Sequence, residues 1–156
     1  MPSRDERYML AALETARSVA GHTGDNPPVG CVVVQGERVV GRGATQPPGG
    51  CHAEVMAVRA AEAAGASIAG AELYVILEPC SFTGRTPPCS RLLVQKRPRR
   101  VVVGVRDPHP FVRGQGIAEL NAAGIEVVEG VLTGPIREFL AGWLRRFDAG
   151  AAGGPP

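Results

Sequence analysis

Two rhythms of apolar and polar positions run along the chain. Tyr8, Met9, Leu13, Ala16 and Ala20 recur at helical spacing behind Ser3 and Glu6, a capping-box pair. A helix is therefore expected over 4–20, stopped by Gly21. The runs VGCVVV (29–34) and RVVGRG (38–43) flank Gln35-Gly36-Glu37 and read as a hairpin. Loops rich in turn residues occupy 22–30 and 44–50. From His52 to Ala64 the Ala-rich stretch favours a helix, with Gly65 beyond it. ELYVIL (72–77), RVVVGV (100–105) and IEVVEG (125–130) read as strands. Helices are expected from Pro87-Pro88 to about Lys96, over 116–123, and over 133–147. The later strands look buried on both faces, which predicts an α/β fold with a parallel sheet covered by helices. One domain is expected over 1–147, followed by a low-complexity tail, DAGAAGGPP (148–156), expected to be disordered.

Composition narrows the class. The 156 residues suit one domain, and with aromatics at only 4% the core must be built from Ala, Val, Leu and Ile. A net charge of +2 is too small for a dedicated nucleic-acid binder. The run Lys96-Arg97-Pro98-Arg99-Arg100 fits the exposed end of a helix better than a nucleic-acid surface. The first 18 residues carry charges throughout, and no apolar run approaches a membrane span, so a cytoplasmic protein is expected.

In a reducing cytosol the four cysteines point to metal binding or catalysis before disulfides. Cys80 and Cys89 stand nine positions apart in EPCSFTGRTPPC, and HAE occupies 52–54. His52, Cys80 and Cys89 make a three-ligand Zn2+ set of the kind that leaves a fourth position open for catalysis. Glu54, two residues after His52, cannot share its helix face. The two converge only if the site faces the helix N-terminus end-on. An H-x-E motif followed by P-C and a second Cys is the zinc-deaminase signature, with Glu54 as proton shuttle. Cys31, inside an apolar strand, is expected to be core, and Cys51 packing or pocket wall.

Five stretches in order carry a resemblance: NPPVGCVVV (26–34), GGCHAEV (49–55), LEPCSFTGRTPPC (77–89), RVVVGVRDPHPFVRGQGI (100–117) and AAGIEVVEGVL (122–132). Over roughly residues 5–147 the chain resembles the deaminase half of the bifunctional riboflavin-biosynthesis deaminase/reductase. The resemblance implies a cytidine-deaminase-like fold, a three-layer α/β/α sandwich around a mixed sheet of about five strands. It implies hydrolytic removal of an amino group from a phosphoribosylated diaminopyrimidine. It makes His52, Cys80 and Cys89 the zinc ligands and Glu54 the catalytic residue, with Asn26 on the base and Arg85 on the phosphate. It also implies a homo-oligomer, a dimer or larger; with the low net charge and no long apolar run, neither nucleic acid nor membrane is expected as partner.

The match departs at the substrate side. Phe82 stands where the family usually has His, His109 where it has Asn, Thr45 where it has His, and Cys51 where it has Pro. Phe82, His109 and Thr45 therefore join Asn26 and Arg85 as candidate substrate-side residues, and the pocket is expected to be altered. The family's reductase half would follow near residue 150, where this sequence reads GGPP; a deaminase without a fused reductase is expected. The alternatives are the same chemistry on a cytosine-, cytidine-, guanine- or natural-product-type heterocycle, a nucleic-acid-editing deaminase, or a non-catalytic zinc protein. Editing deaminases carry the short P-C-x-x-C spacing, which this chain lacks.

Overall fold

The computed structural model describes residues 2–47, 50–80, 89–108 and 114–147. Among the described residues there are five helices longer than one turn and five strands: a first helix, a hairpin, and then helices and strands in alternation. Helix α1 (Arg4–Arg17) starts on the expected capping box: the Glu6 amide donates to Ser3 Oγ at 3.1 Å, and the Ser3 amide to Glu6 Oε1 at 2.8 Å. It ends three residues early, because Ser18 turns back onto Thr15 O through both its amide and its hydroxyl. Strands β1 (Gly30–Gln35) and β2 (Arg38–Ala44) form the hairpin. Then come α2 (Ala53–Ala63), β3 (Glu72–Leu77), α3 (Cys89–Lys96), β4 (Arg100–Val105), α4 (Gln115–Ala122) and β5 (Glu126–Glu129).

The sheet order is β2-β1-β3-β4-β5. β1 runs antiparallel to both β2 and β3, while β3, β4 and β5 are mutually parallel, so the sheet is mixed. Pattern reading alone predicted a parallel sheet, which holds only for its second half. The β1–β2 pair is antiparallel because the two-residue connection Gly36-Glu37 cannot cross over between parallel strands. β3 and β4 are buried on both faces as expected, but β5 is not. It is an edge strand paired only to β4, with Glu126 and Glu129 in solvent.

Helices cover both faces. A Cβ on Gly30 would lie 2.0 Å from Ala12 O of α1, and one on Gly43 would lie 2.2 Å from Ala57 N of α2. Gly30 pairs with Ala44 and Cys31 with Gly43, so the two glycines face opposite sides of the sheet. α1 therefore lies on one side and α2 on the other, each with its backbone against the sheet. The core between them is Val, Leu, Ile and Ala, with Met9 and Tyr74.

The expected closing helix over 133–147 is broken. It runs as α5 (Thr133–Phe139), α6 (Ala141–Leu144) and a 3-10 turn (Arg145–Phe147). Leu140 leaves helical geometry at φ −88°, ψ 6° while its side chain stays in the core, and Gly142 beyond it is a weak helix former. Trp143 packs half-buried against the core. The tail 148–156 and the Pro87-Pro88 helix start lie outside the described residues.

At the N-terminal end of β3 and β4 sits a polar cluster that the apolar reading of ELYVIL did not suggest. Glu72, only 3% exposed, accepts from Arg4 at 2.8 Å and Arg100 at 2.8 Å, and pairs with Arg99 at 3.0 Å. Tyr74 Oη donates to Asp5 at 2.6 Å, and Arg100 pairs with Asp5 as well. Much of the basic run is thus paired within the fold: Lys96 with Glu62, Arg99 with Glu72, and Arg100 with Asp5 and Glu72. Among the described residues no helix is long and apolar enough to cross a membrane.

Candidate active site

The opposite end of the sheet, at the carboxyl ends of β3 and β4, gathers the chemistry. In α/β folds this is where ligands bind, since loops there are free to vary over a rigid base. β3 ends at Leu77 and passes through Glu78-Pro79 to Cys80. His52 is the N-cap of α2, in extended geometry at φ −76°, ψ 166°, and Cys89 is the first residue of α3. Two helix N-termini and one strand end therefore converge.

His52 Nδ1 lies 3.2 Å from Cys89 Sγ and 3.6 Å from Cys80 Sγ, and all three donor atoms fall within 4.8 Å of one another. The Cys89 amide donates to Cys80 Sγ at 3.2 Å, and the Ser90 amide to Cys80 O at 3.0 Å. One nitrogen and two sulfurs at this separation suit a tetrahedral Zn2+ with one position left over. The thiols bias each other: the hydrogen bond from Cys89, ahead of that to His52, pulls Cys80 down to about 5, and the same contact pushes Cys89 up. The bond to Cys80 raises His52 above its ordinary value. The contact thus favours the thiolate at Cys80, the form that binds metal.

Glu54 occupies the first turn of α2 at 4% exposure. Burial, with Cys80 as the next cause, pushes its carboxyl up to about 7. A carboxyl poised near neutrality can both accept and donate a proton. The end-on geometry expected for an i, i+2 pair is met by His52 capping the helix while Glu54 lies inside it.

These observations point to one family. Residues 2–105 match the cytidine and deoxycytidylate deaminase zinc-binding region. The chain belongs to that family. The deaminase chain is 45% identical over 148 residues to the chloroplastic riboflavin biosynthesis protein PYRD of Zea mays, covering 95% of this chain and 37% of that one. To riboflavin biosynthesis protein RibD of Bacillus amyloliquefaciens it is 48% identical over 128 residues, 82% of this chain and 34% of the relative. A crystal structure from Thermotoga maritima is of a diaminohydroxyphosphoribosylaminopyrimidine deaminase/5-amino-6-(5-phosphoribosylamino)uracil reductase. It superposes with a TM-score of 0.88 at 40% identity, covering 92% of this chain and 41% of that one. The chain thus spans little more than a third of these relatives' length, and its five-stranded mixed sheet is the one expected of the cytidine-deaminase-like fold.

The substrate-side residues divide. Thr45 is buried, and its hydroxyl is engaged by the 26–29 loop: it donates to Pro27 O at 3.1 Å and accepts from the Val29 amide at 3.0 Å. Asn26 is exposed on that loop, its backbone pinned by Thr23 Oγ1 on its carbonyl at 2.6 Å. Phe82, Arg85 and His109 lie outside the described residues. Cys31 is fully buried core, and Cys51 is half-buried beside Arg59 Nη1 at 3.3 Å. Sequence reasoning missed Glu78, Ser90 and Glu119 around the cysteines. The available signal was a charged residue, Glu78, directly after an apolar strand.

Proposed function

We propose that this chain is a hydrolytic deaminase of a small amino-heterocycle, most like the phosphoribosylated diaminopyrimidine of riboflavin synthesis. The single observation that carries the reading is a buried Glu54 beside His52, Cys80 and Cys89, the ligand set that would hold Zn2+. Zinc, when bound, supplies the Lewis acidity that makes hydroxide available from water near pH 7. Glu54 takes a proton from the attacking water and returns it to the departing amine, so that water enters and ammonia leaves. Proton transfer by a positioned group contributes about 10²–10⁴-fold. Burial serves that role, because a carboxylate already near neutrality changes state at little cost.

Asn26 is assigned to the heterocycle and Arg85 to the phosphate, with Phe82 and His109 assigned to the altered substrate preference. Thr45 acts on the substrate indirectly, through the loop that presents Asn26. The chain works as a homo-oligomer, on a small molecule rather than nucleic acid. Support for a small-molecule substrate comes from the basic run, three of whose four cations, Lys96, Arg99 and Arg100, are paired with Glu62, Glu72 and Asp5.

The test is ammonia release by zinc-loaded protein offered the phosphoribosylated diaminopyrimidine, cytidine, cytosine and guanine in parallel. Turnover of the first supports the assignment. Turnover of another alone keeps the chemistry and reassigns the pocket.

A further inference from the structure

Glu78 has no task in the chemistry above, yet it is one of the most constrained carboxylates described. At 3% exposure, its Oε1 accepts from the Asp107 amide at 3.1 Å and the Gly114 amide at 2.9 Å, and its Oε2 from the Ile117 amide at 3.2 Å. Its own amide donates to Val105 O at 2.9 Å. One side chain therefore ties three pieces together: the strand end that leads to Cys80, the segment after β4 at Asp107, and the start of α4. A carboxylate satisfies such helix-start amides better than a neutral group, because they carry partial positive charge.

Two independent contacts bring α4 to the same place. A Cβ on Gly116 would lie 2.1 Å from Pro79 O, so the helix backbone rests directly on the peptide before Cys80. Three residues along the same face, Glu119 Oε2 accepts from Ser90 Oγ, and Ser90 is fully buried next to Cys89. α4 thus touches the segment of each cysteine by a separate bond.

We propose that α4 is the brace of the metal centre, and that Glu78 and Glu119 are positioning residues acting through it. Glu78 fixes where Cys80 stands, and Glu119 fixes where Cys89 stands. The proposal rests on the reading of His52, Cys80 and Cys89 as metal ligands.

The experiment uses the full chain as wild type, Glu78→Gln, Glu119→Gln and the pair, with Leu13→Ala in α1 as a control for simple destabilisation. Each is loaded with Co2+, and its thiolate charge-transfer and ligand-field bands are recorded well below the melting temperature. Zinc release from zinc-loaded samples to a chromophoric chelator is timed alongside. Gln at position 78 keeps an oxygen for Asp107 and Gly114 but sets an NH2 against the Ile117 amide. Both single variants should shift the bands and release zinc about tenfold faster, the range for residues that orient ligands. The pair should fall short of the product, because both act through one helix. Leu13→Ala should lower the melting temperature and leave bands and release unchanged. Wild-type bands and release in both single variants would overturn the proposal, as would a loss of melting temperature alone. Failure of the wild type to take up Co2+ would remove the metal reading and this proposal together, and is distinguishable by that. If Glu78→Gln does not fold, Glu119→Gln decides.

Discussion

A single methyl group at Gly43 would lift α2 off the sheet. The added Cβ would sit 2.2 Å from Ala57 N, 2.4 Å from Ala53 O and 2.7 Å from Met56 C, all backbone atoms that no rotamer change can move. Restoring ordinary contact requires the helix to retreat by about 1 Å. Overpacking of that kind costs about 1–3 kcal/mol. For a domain of this size that corresponds to a melting temperature lower by about 3–10 °C. The functional loss should exceed the loss of stability. His52 caps α2 and Glu54 lies in its first turn, so both move with the helix. Misplacement by about 1 Å can lower turnover about 100-fold. The measurements are urea unfolding followed by circular dichroism, and ammonia release by the zinc-loaded protein at a temperature where Gly43→Ala is folded. Gly36→Ala is the control: at φ +63°, with nothing within 4 Å of its Cβ, it strains only the β1–β2 turn. It should lose about 1 kcal/mol and keep its activity. A Gly43→Ala protein with wild-type midpoint and turnover would refute the reasoning that α2 is held by backbone contact.

Glu54→Gln should keep the fold and one zinc per chain but lose about 10²–10⁴ in turnover, checked by metal analysis and ammonia release; retained turnover would remove Glu54 as the proton carrier. Acid should weaken the Asp5–Glu72 cluster. Burial alone would raise both carboxyls, but hydrogen bonds from Arg100 and Tyr74 to Asp5, and from Arg4 and Arg100 to Glu72, outweigh it and hold both below the ordinary range. Their contribution is complete above about pH 4, where the unfolded groups titrate, and is lost as pH falls through the lower folded values. Urea midpoints should fall below that pH, and fall less steeply in Arg100→Leu. At pH 7 the same Arg100→Leu change should cost about 2–3 kcal/mol by denaturant titration, since it removes charged hydrogen bonds from two acids.

Much of this architecture was legible because it rests on local rules. The Ser3–Glu6 box marks the start of α1, and Gln35-Gly36-Glu37 marks the hairpin. HAE and EPC are chemical words whose geometry, with that of Cys89, follows once α2 and α3 point inward. What escaped depends on tertiary context. The strand β5 reads as apolar from Val127 and Val128, but its place at the sheet edge follows from strand order, which local pattern does not encode. The break at Leu140 arises because a core side chain fixes that residue while Gly142 does little to hold the helix. Glu72 looked incidental in ELYVIL because its partners come from α1 and β4, 68 and 28 residues away. Thr45 is a substrate-side candidate by the resemblance alone, standing where the family usually has His, and its bonding is not readable from the sequence. Its hydroxyl is bound by Pro27 and Val29, and only the folded loop brings those within reach.

Hydrolysis at the zinc site is the claim to test most directly. Zinc-loaded protein turning over the phosphoribosylated diaminopyrimidine in ¹⁸O-labelled water should release one ammonia per product. The product should carry one ¹⁸O at the carbon that lost the amine, and Glu54→Gln under the same conditions should yield neither signal above background. Protein with a full complement of zinc that releases no ammonia from this or any other amino-heterocycle offered would contradict it, as would a product without the label.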